Sequence, residues 1–199
     1  MPTEFQRINL RCHALLADVP LHDVWAISVE GGGPGRTIRD AYEILFGSQR
    51  PRAPLAVRAL FTLRWSLGRI FGWDDERPDS QTSSYVQRLS DADRLQSTVR
   101  PGTRNGPFRV LYAFANEAVA EIRNATVHGF MALALVPVEA GFSRPNGYTI
   151  YMAVYVKPVS RLTPFYMALI EPFRRFIVYP ALCRGAQRTW SRTYATVRP

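Results

Sequence analysis

Lysine and cysteine are almost missing from this chain. Of its 25 cations only Lys157 is lysine, and Cys12 and Cys183 are the only cysteines. Two cysteines so far apart exclude a disulfide framework and fit a reducing compartment, each serving as a small buried hydrophobe. No apolar run reaches the roughly 18 residues of a membrane span. Residues 1–19 carry Arg7 and Arg11 with no continuous apolar stretch, so no secretory signal is expected and the reading is cytoplasmic. Histidine is scarce too: His13, His22 and His128. Cys12, His13, His22 and Asp23 are metal-ligand types, but their spacing matches no zinc pattern and no metal is expected. There is no G-x-G-x-x-G, no Gly-Lys-Ser/Thr and no Ser/His/Asp or Cys/His signature, so no cofactor is expected.

What is present suits one domain over residues 1–199: 47% of the residues are hydrophobic and 12% aromatic, enough for a sizeable core. The net charge of +9 is unevenly spread, with seven cations against one anion in residues 161–199. Arg184, Arg188 and Arg192 recur every four residues and line one side of a helix, where they complete the helix dipole in solvent or meet an anionic membrane surface. No nucleic-acid motif is present and the aromatics sit in apolar patterns rather than among the basic residues, so nucleic acid is not an expected partner.

The strongest pattern is 162–190, where Leu162, Phe165, Tyr166, Leu169, Ile170, Phe173, Phe176 and Ile177 form the stripe of a long amphipathic helix. Thr163 caps it, and Pro172 and Pro180 bend it. Upstream, residues 1–23 show no clean period and read as an irregular or short-strand lead-in. A strand is expected over 24–30, a flexible turn at Gly31–Gly35, and a helix over 37–46 opened by Thr37 and Asp40. A second helix over 54–71 is apolar nearly all round. The polar stretch 74–106 reads as a mobile cover, with a short helix capped by Ser90 inside it. From Phe108 the period becomes two. Strands are expected over 108–116, 117–124, 126–138 and 148–156, an antiparallel meander whose last two strands are apolar on both faces.

This order of elements resembles the helix-grip architecture of START-like proteins, an α+β antiparallel sheet wrapped around a long kinked C-terminal helix. Residues 17–29, 57–73, 108–130 and 166–182 further resemble a small bacterial domain-of-unknown-function family, found alone or fused to short-chain-dehydrogenase-like proteins. Tyr166, Pro172, Phe173 and Arg174 match its most specific run, whereas Gly129 to Ala132 depart from the run that follows its strand histidine. The resemblance implies a fold and an apolar ligand cavity, and no agreed reaction.

The leading expectation is therefore a hydrophobic small molecule, such as a lipid, polyketide or isoprenoid, held between sheet and terminal helix. Tyr112, Tyr151 and His128 are its expected polar groups, Glu121 and Arg123 share one face of the strand adjacent to His128, and Trp65, Phe165 and Leu169 form the walls. Glu121 is expected to orient His128 where the strand register allows it. An enzyme using His128 as acid and base for cyclisation, dehydration or isomerisation is the alternative. A peripheral membrane or scaffold protein using Arg58, Arg69 and the terminal arginines is the third reading.

Overall fold

The structure, a computed structural model, describes residues 2–47, 83–124, 127–138, 146–159, 168 and 171–194. The expected helix over 54–71, with Arg58, Trp65 and Arg69, and the expected wall residues Phe165 and Leu169 lie outside these residues.

Among the described residues six strands form one antiparallel sheet: β1 (Leu21–Glu30), β2 (Arg104–Asn105), β3 (Phe108–Ala113), β4 (Glu117–Arg123), β5 (Val127–Val138) and β6 (Gly147–Pro158), in the order β1-β6-β5-β4-β3-β2. Strands β3 to β6 are the meander that the period-two alternation predicts, and β2 adds a short strand from within the polar stretch. The first strand then closes on the last, Val24 opposite Ala153 and Ile27 opposite Ile150. Because β5 and β6 are central and apolar on both faces, both faces need cover.

One face is covered by the N-terminal segment. In place of an irregular or short-strand lead-in over residues 1–23, β1 already starts at Leu21, and Pro2–Arg7 and Arg11–Leu15 form helices α1 and α2. They bring Phe5, Leu10, Cys12, Leu15 and Leu16 onto Tyr112, Phe130, Tyr151 and Tyr155. Neither helix is long enough to display a period, which hid them in the sequence. The described part of the polar stretch is folded onto the same face. A 3-10 turn at Tyr85–Arg88 buries Tyr85, and α4 (Asp91–Gln96) starts with the expected Ser90, in a capping box with Asp93.

The other face is covered by α3 (Ile38–Phe46) and α5 (Tyr179–Tyr194), which pack Ile38, Leu45, Leu182 and Trp190 against Ile27, Leu133 and Ile150. Each such fully buried side chain contributes about 1.5–3 kcal/mol relative to exposure. Thr37 and Asp40 form the expected capping box on α3. Burial opposes charge on Asp40, but hydrogen bonds from Thr37 and Tyr194 outweigh it and hold the carboxyl below its ordinary range. The glycine turn before α3 points its carbonyls at protein donors: Arg36 Nε donates to Gly32 O at 2.6 Å and Tyr148 Oη to Gly33 O at 2.7 Å. Gly32 has φ +96°, and a Cβ there would lie 2.7 Å from the Trp190 ring. The turn is a packing device against α5.

Just before Pro180, Arg174–Val178 widen into a π turn in which Tyr179 N–H reaches Arg174 O. Proline lacks an N–H, and a single π turn is a known way for a helix to absorb such an interruption. No helix among the described residues is long and apolar enough to cross a membrane.

Candidate functional site

Side-chain alternation separates the chemistry-bearing residues onto two faces. On the face under α1 and α2, Glu121 of β4 accepts hydrogen bonds from Ser84 Oγ, from Tyr85 N–H at 3.1 Å and from the His128 ring at Nε2, also 3.1 Å. Arg123 is the Cα partner of His128, so the register that lets Glu121 orient His128 is met. Burial disfavours charge on Glu121, yet the His128, Ser84 and Tyr85 bonds more than compensate, and the carboxyl titrates below its ordinary value. His128 is 1% exposed, with Tyr85 and Phe130 rings 5.3 and 4.4 Å away. The His128 ring is thus sealed from solvent.

A second carboxylate works beside the first. Glu117 accepts from the N–H groups of Arg11 at 2.7 Å and Cys12 at 3.2 Å, and from Tyr112 Oη at 3.0 Å. It thereby caps α2, whose own N-cap Leu10 has no side chain to do so. Burial and the Glu117 charge push the Cys12 thiol up to about 12, and burial also raises Tyr112. Arg11 clamps Asp93 at 2.9 Å through two nitrogens. Tyr151 is buried in the same core and donates to Glu4 at 3.1 Å. Tyr112, Glu121, His128 and Tyr151 are thus brought together on the face away from α5, with Arg123 half-buried at its edge, and not between the sheet and α5.

The face toward α5 differs. Val110, Ala120, Met131, Val154 and Asp23 are successive Cα partners from β3 across to β1, and all five are only half-buried. At roughly 4.8 Å per strand the row is roughly 19 Å long. Its β1 end is polar. Asp23 accepts from Trp25 Nε1 at 2.9 Å and lies 3.7 Å from Arg174, which also donates through Nε to Tyr179 Oη at 3.0 Å. The Trp25 and Tyr179 rings lie 4.6 Å apart. Burial keeps Tyr179 raised and protonated, against the pull of Arg174. Arg174 Nη1 is buried without a hydrogen bond among the described residues.

The chain of charges continues outward, Arg174 to Glu171 at 3.6 Å and Glu171 to His22 at 3.3 Å. Along β1, the end strand of the sheet among the described residues, runs an open groove of about 540 Å³ lined by Leu21, His22, Asp23, Trp25, Glu171 and Arg175 among others. That is within the range of small-molecule sites. Sequence reasoning missed Trp25, Arg174 and Tyr179 as a cluster, and considered His22 and Asp23 only as metal ligands. The signal available was the i, i+2 pair Asp23 and Trp25 on one strand face. Among the described residues no group of three or more metal-ligand side chains converges.

A model of a family described as a protein of unknown function (DUF2867) matches residues 15–181. No curated protein and no solved structure matches the chain.

Proposed function

The chain belongs to the DUF2867 family, whose model spans more than half of it, and we propose that it binds an elongated hydrophobic small molecule across the sheet face toward α5. The carrying observation is the row Val110, Ala120, Met131 and Val154, half-buried on this face while Val119, Phe130, Ala132 and Ala153 on the opposite face are sealed. An apolar row left partly open on a sheet face is a place where a ligand can bury surface that the protein does not bury itself. At the β1 end, Arg174 Nη1 and Tyr179 Oη supply donors for a ligand oxygen, such as that of a hydroxyl, carbonyl or carboxylate group. The strand order, with the first strand against the last and the terminal helix across one face, supports a START-like helix-grip reading of the fold.

The test is fluorescence titration with NBD-labelled stearate. Wild type binds, and Ala120→Trp, which fills the row, weakens binding at least tenfold. Undiminished binding by that variant refutes the site.

Acid–base catalysis is the second reading, favoured by the His22 and Glu171 pair on the groove, where His22 has a side-chain exposure of 31%. His22, and not the sealed His128, is then the proton carrier. On a compound identified by native mass spectrometry of the purified protein, His22→Ala lowers turnover by roughly 10²–10⁴-fold. Equal turnover removes that reading.

A further inference from the structure

The outward face of the terminal helix carries charge that no acidic group among the described residues pairs with. Residues 172–194 contain five arginines, Arg174, Arg175, Arg184, Arg188 and Arg192, and no Asp or Glu. Arg174 is spent inside, on Asp23 and Tyr179. The other four are exposed and make no ion pair among the described residues. The buried positions of α5, Tyr179, Leu182, Ala186, Thr189 and Trp190, face the sheet and α3. Arg184, Arg188 and Arg192, at four-residue spacing, therefore project from the opposite side, about 6 Å apart along the axis.

This basic stripe ends in exposed aromatics. Phe176 is 74% exposed and Phe173 is 43% exposed, two of the three large hydrophobic side chains most exposed among the described residues. Burying them in the protein would remove their apolar area from water, yet the fold leaves them out. The π turn at Arg174–Val178 sets an extra residue into the helix between Phe173 and Arg184.

We infer that this face docks the protein on an anionic lipid bilayer, with Phe173 and Phe176 in the headgroup boundary and Arg175, Arg184, Arg188 and Arg192 on the lipid phosphates. Charge decides the sign of the partner, and the aromatics decide its kind. A bilayer surface offers an apolar layer just beneath its negative charges, which matches exposed phenylalanines at the end of a basic helix. A nucleic-acid surface takes aromatics by stacking them among the basic contacts. Here they stand apart from three of the arginines. The inference rests on exposure and charge of the outer face and is independent of the ligand row on the inner face, so either can fail alone.

The experiment is co-sedimentation of the full chain with large unilamellar vesicles of phosphatidylcholine containing 30 mol% phosphatidylserine, against pure phosphatidylcholine, in 50 and 300 mM NaCl. Binding is expected to the anionic vesicles only and to fall as salt rises. Each arginine near such a surface is worth about fivefold, so replacing Arg184, Arg188 and Arg192 together with Ser weakens binding about 100-fold. Phe176→Ser weakens it at both salt concentrations. Near-UV circular dichroism shows that each variant is folded, and Arg188→Glu alone provides a milder second variant with the same expected direction. Absence of binding by the wild type, unchanged binding by the folded triple variant, or salt-sensitive binding to a duplex DNA fragment without vesicle binding overturns the inference.

Discussion

The two faces of the sheet solve opposite problems with the same strands. Under α1 and α2 lie two buried carboxylates, Glu117 and Glu121, every oxygen of which accepts a hydrogen bond, and the aromatic rings around them are closed to solvent. Toward α5 the central row has no buried charge and is left half-open, and its polar groups are gathered at one end. A residue with catalytic chemistry is therefore not by that fact a site residue. His128 sits in the better-built electrostatic environment, and that environment spends it on joining β4, β5 and the Tyr85 turn.

The comparison is broken most directly by removing Glu121. Glu121→Ala leaves Ser84, Tyr85 N–H and His128 without their acceptor, and a loss of about 3–5 kcal/mol is expected in urea denaturation, or failure to fold. A loss below about 1 kcal/mol would mean that the face is not sealed. Next in size is a matched pair on adjacent strands. Ala132→Trp, on the sealed face, overpacks the core and costs about 3 kcal/mol or more, whereas Ala120→Trp, in the open row, changes the melting temperature by no more than about 2 °C. Equal destabilisation by the two would erase the distinction between the faces.

Acid sharpens the same contrast. Arg11 holds Asp93 down from its ordinary 3.8 to about 2, with burial opposing and the Ser90 bonds assisting. A carboxyl lowered on folding contributes stability that is complete above the unfolded value and lost as the pH falls through the folded one. Stability should thus decline between about pH 4 and 2, and Asp93→Asn should flatten that decline in a pH series of denaturation midpoints. Smallest of all, Phe176→Ser on the outer face of the terminal helix shifts stability by less than about 0.5 kcal/mol.

Much of this architecture is legible in the sequence because its signals are local. Alternation marks β3 to β6 within a few residues of their observed ends, and Thr37 with Asp40 and Ser90 with Asp93 announce two helix starts. What is not legible is which face of the sheet each helix takes. Strands β5 and β6 are apolar on both sides, so Tyr112, His128 and Tyr151 read equally well toward α5 or away from it. The bulges between Val110 and Tyr112 and between Leu21 and Asp23 also shift strand parity without a sequence mark. The polar cluster joins Asp23 to Arg174 across most of the chain, a contact that only the closure of β1 on β6 creates.

The central claim is that an apolar ligand lies across Val110, Ala120, Met131 and Val154. Photo-crosslinking with a diazirine-bearing fatty acid, followed by peptide mass spectrometry, reads this out at residue level. Label is predicted on peptides of β4 and β5 carrying Ala120 and Met131, competed away by unlabelled fatty acid. Label confined to α1, α2 or the Tyr85 turn, or label insensitive to competitor, would contradict it.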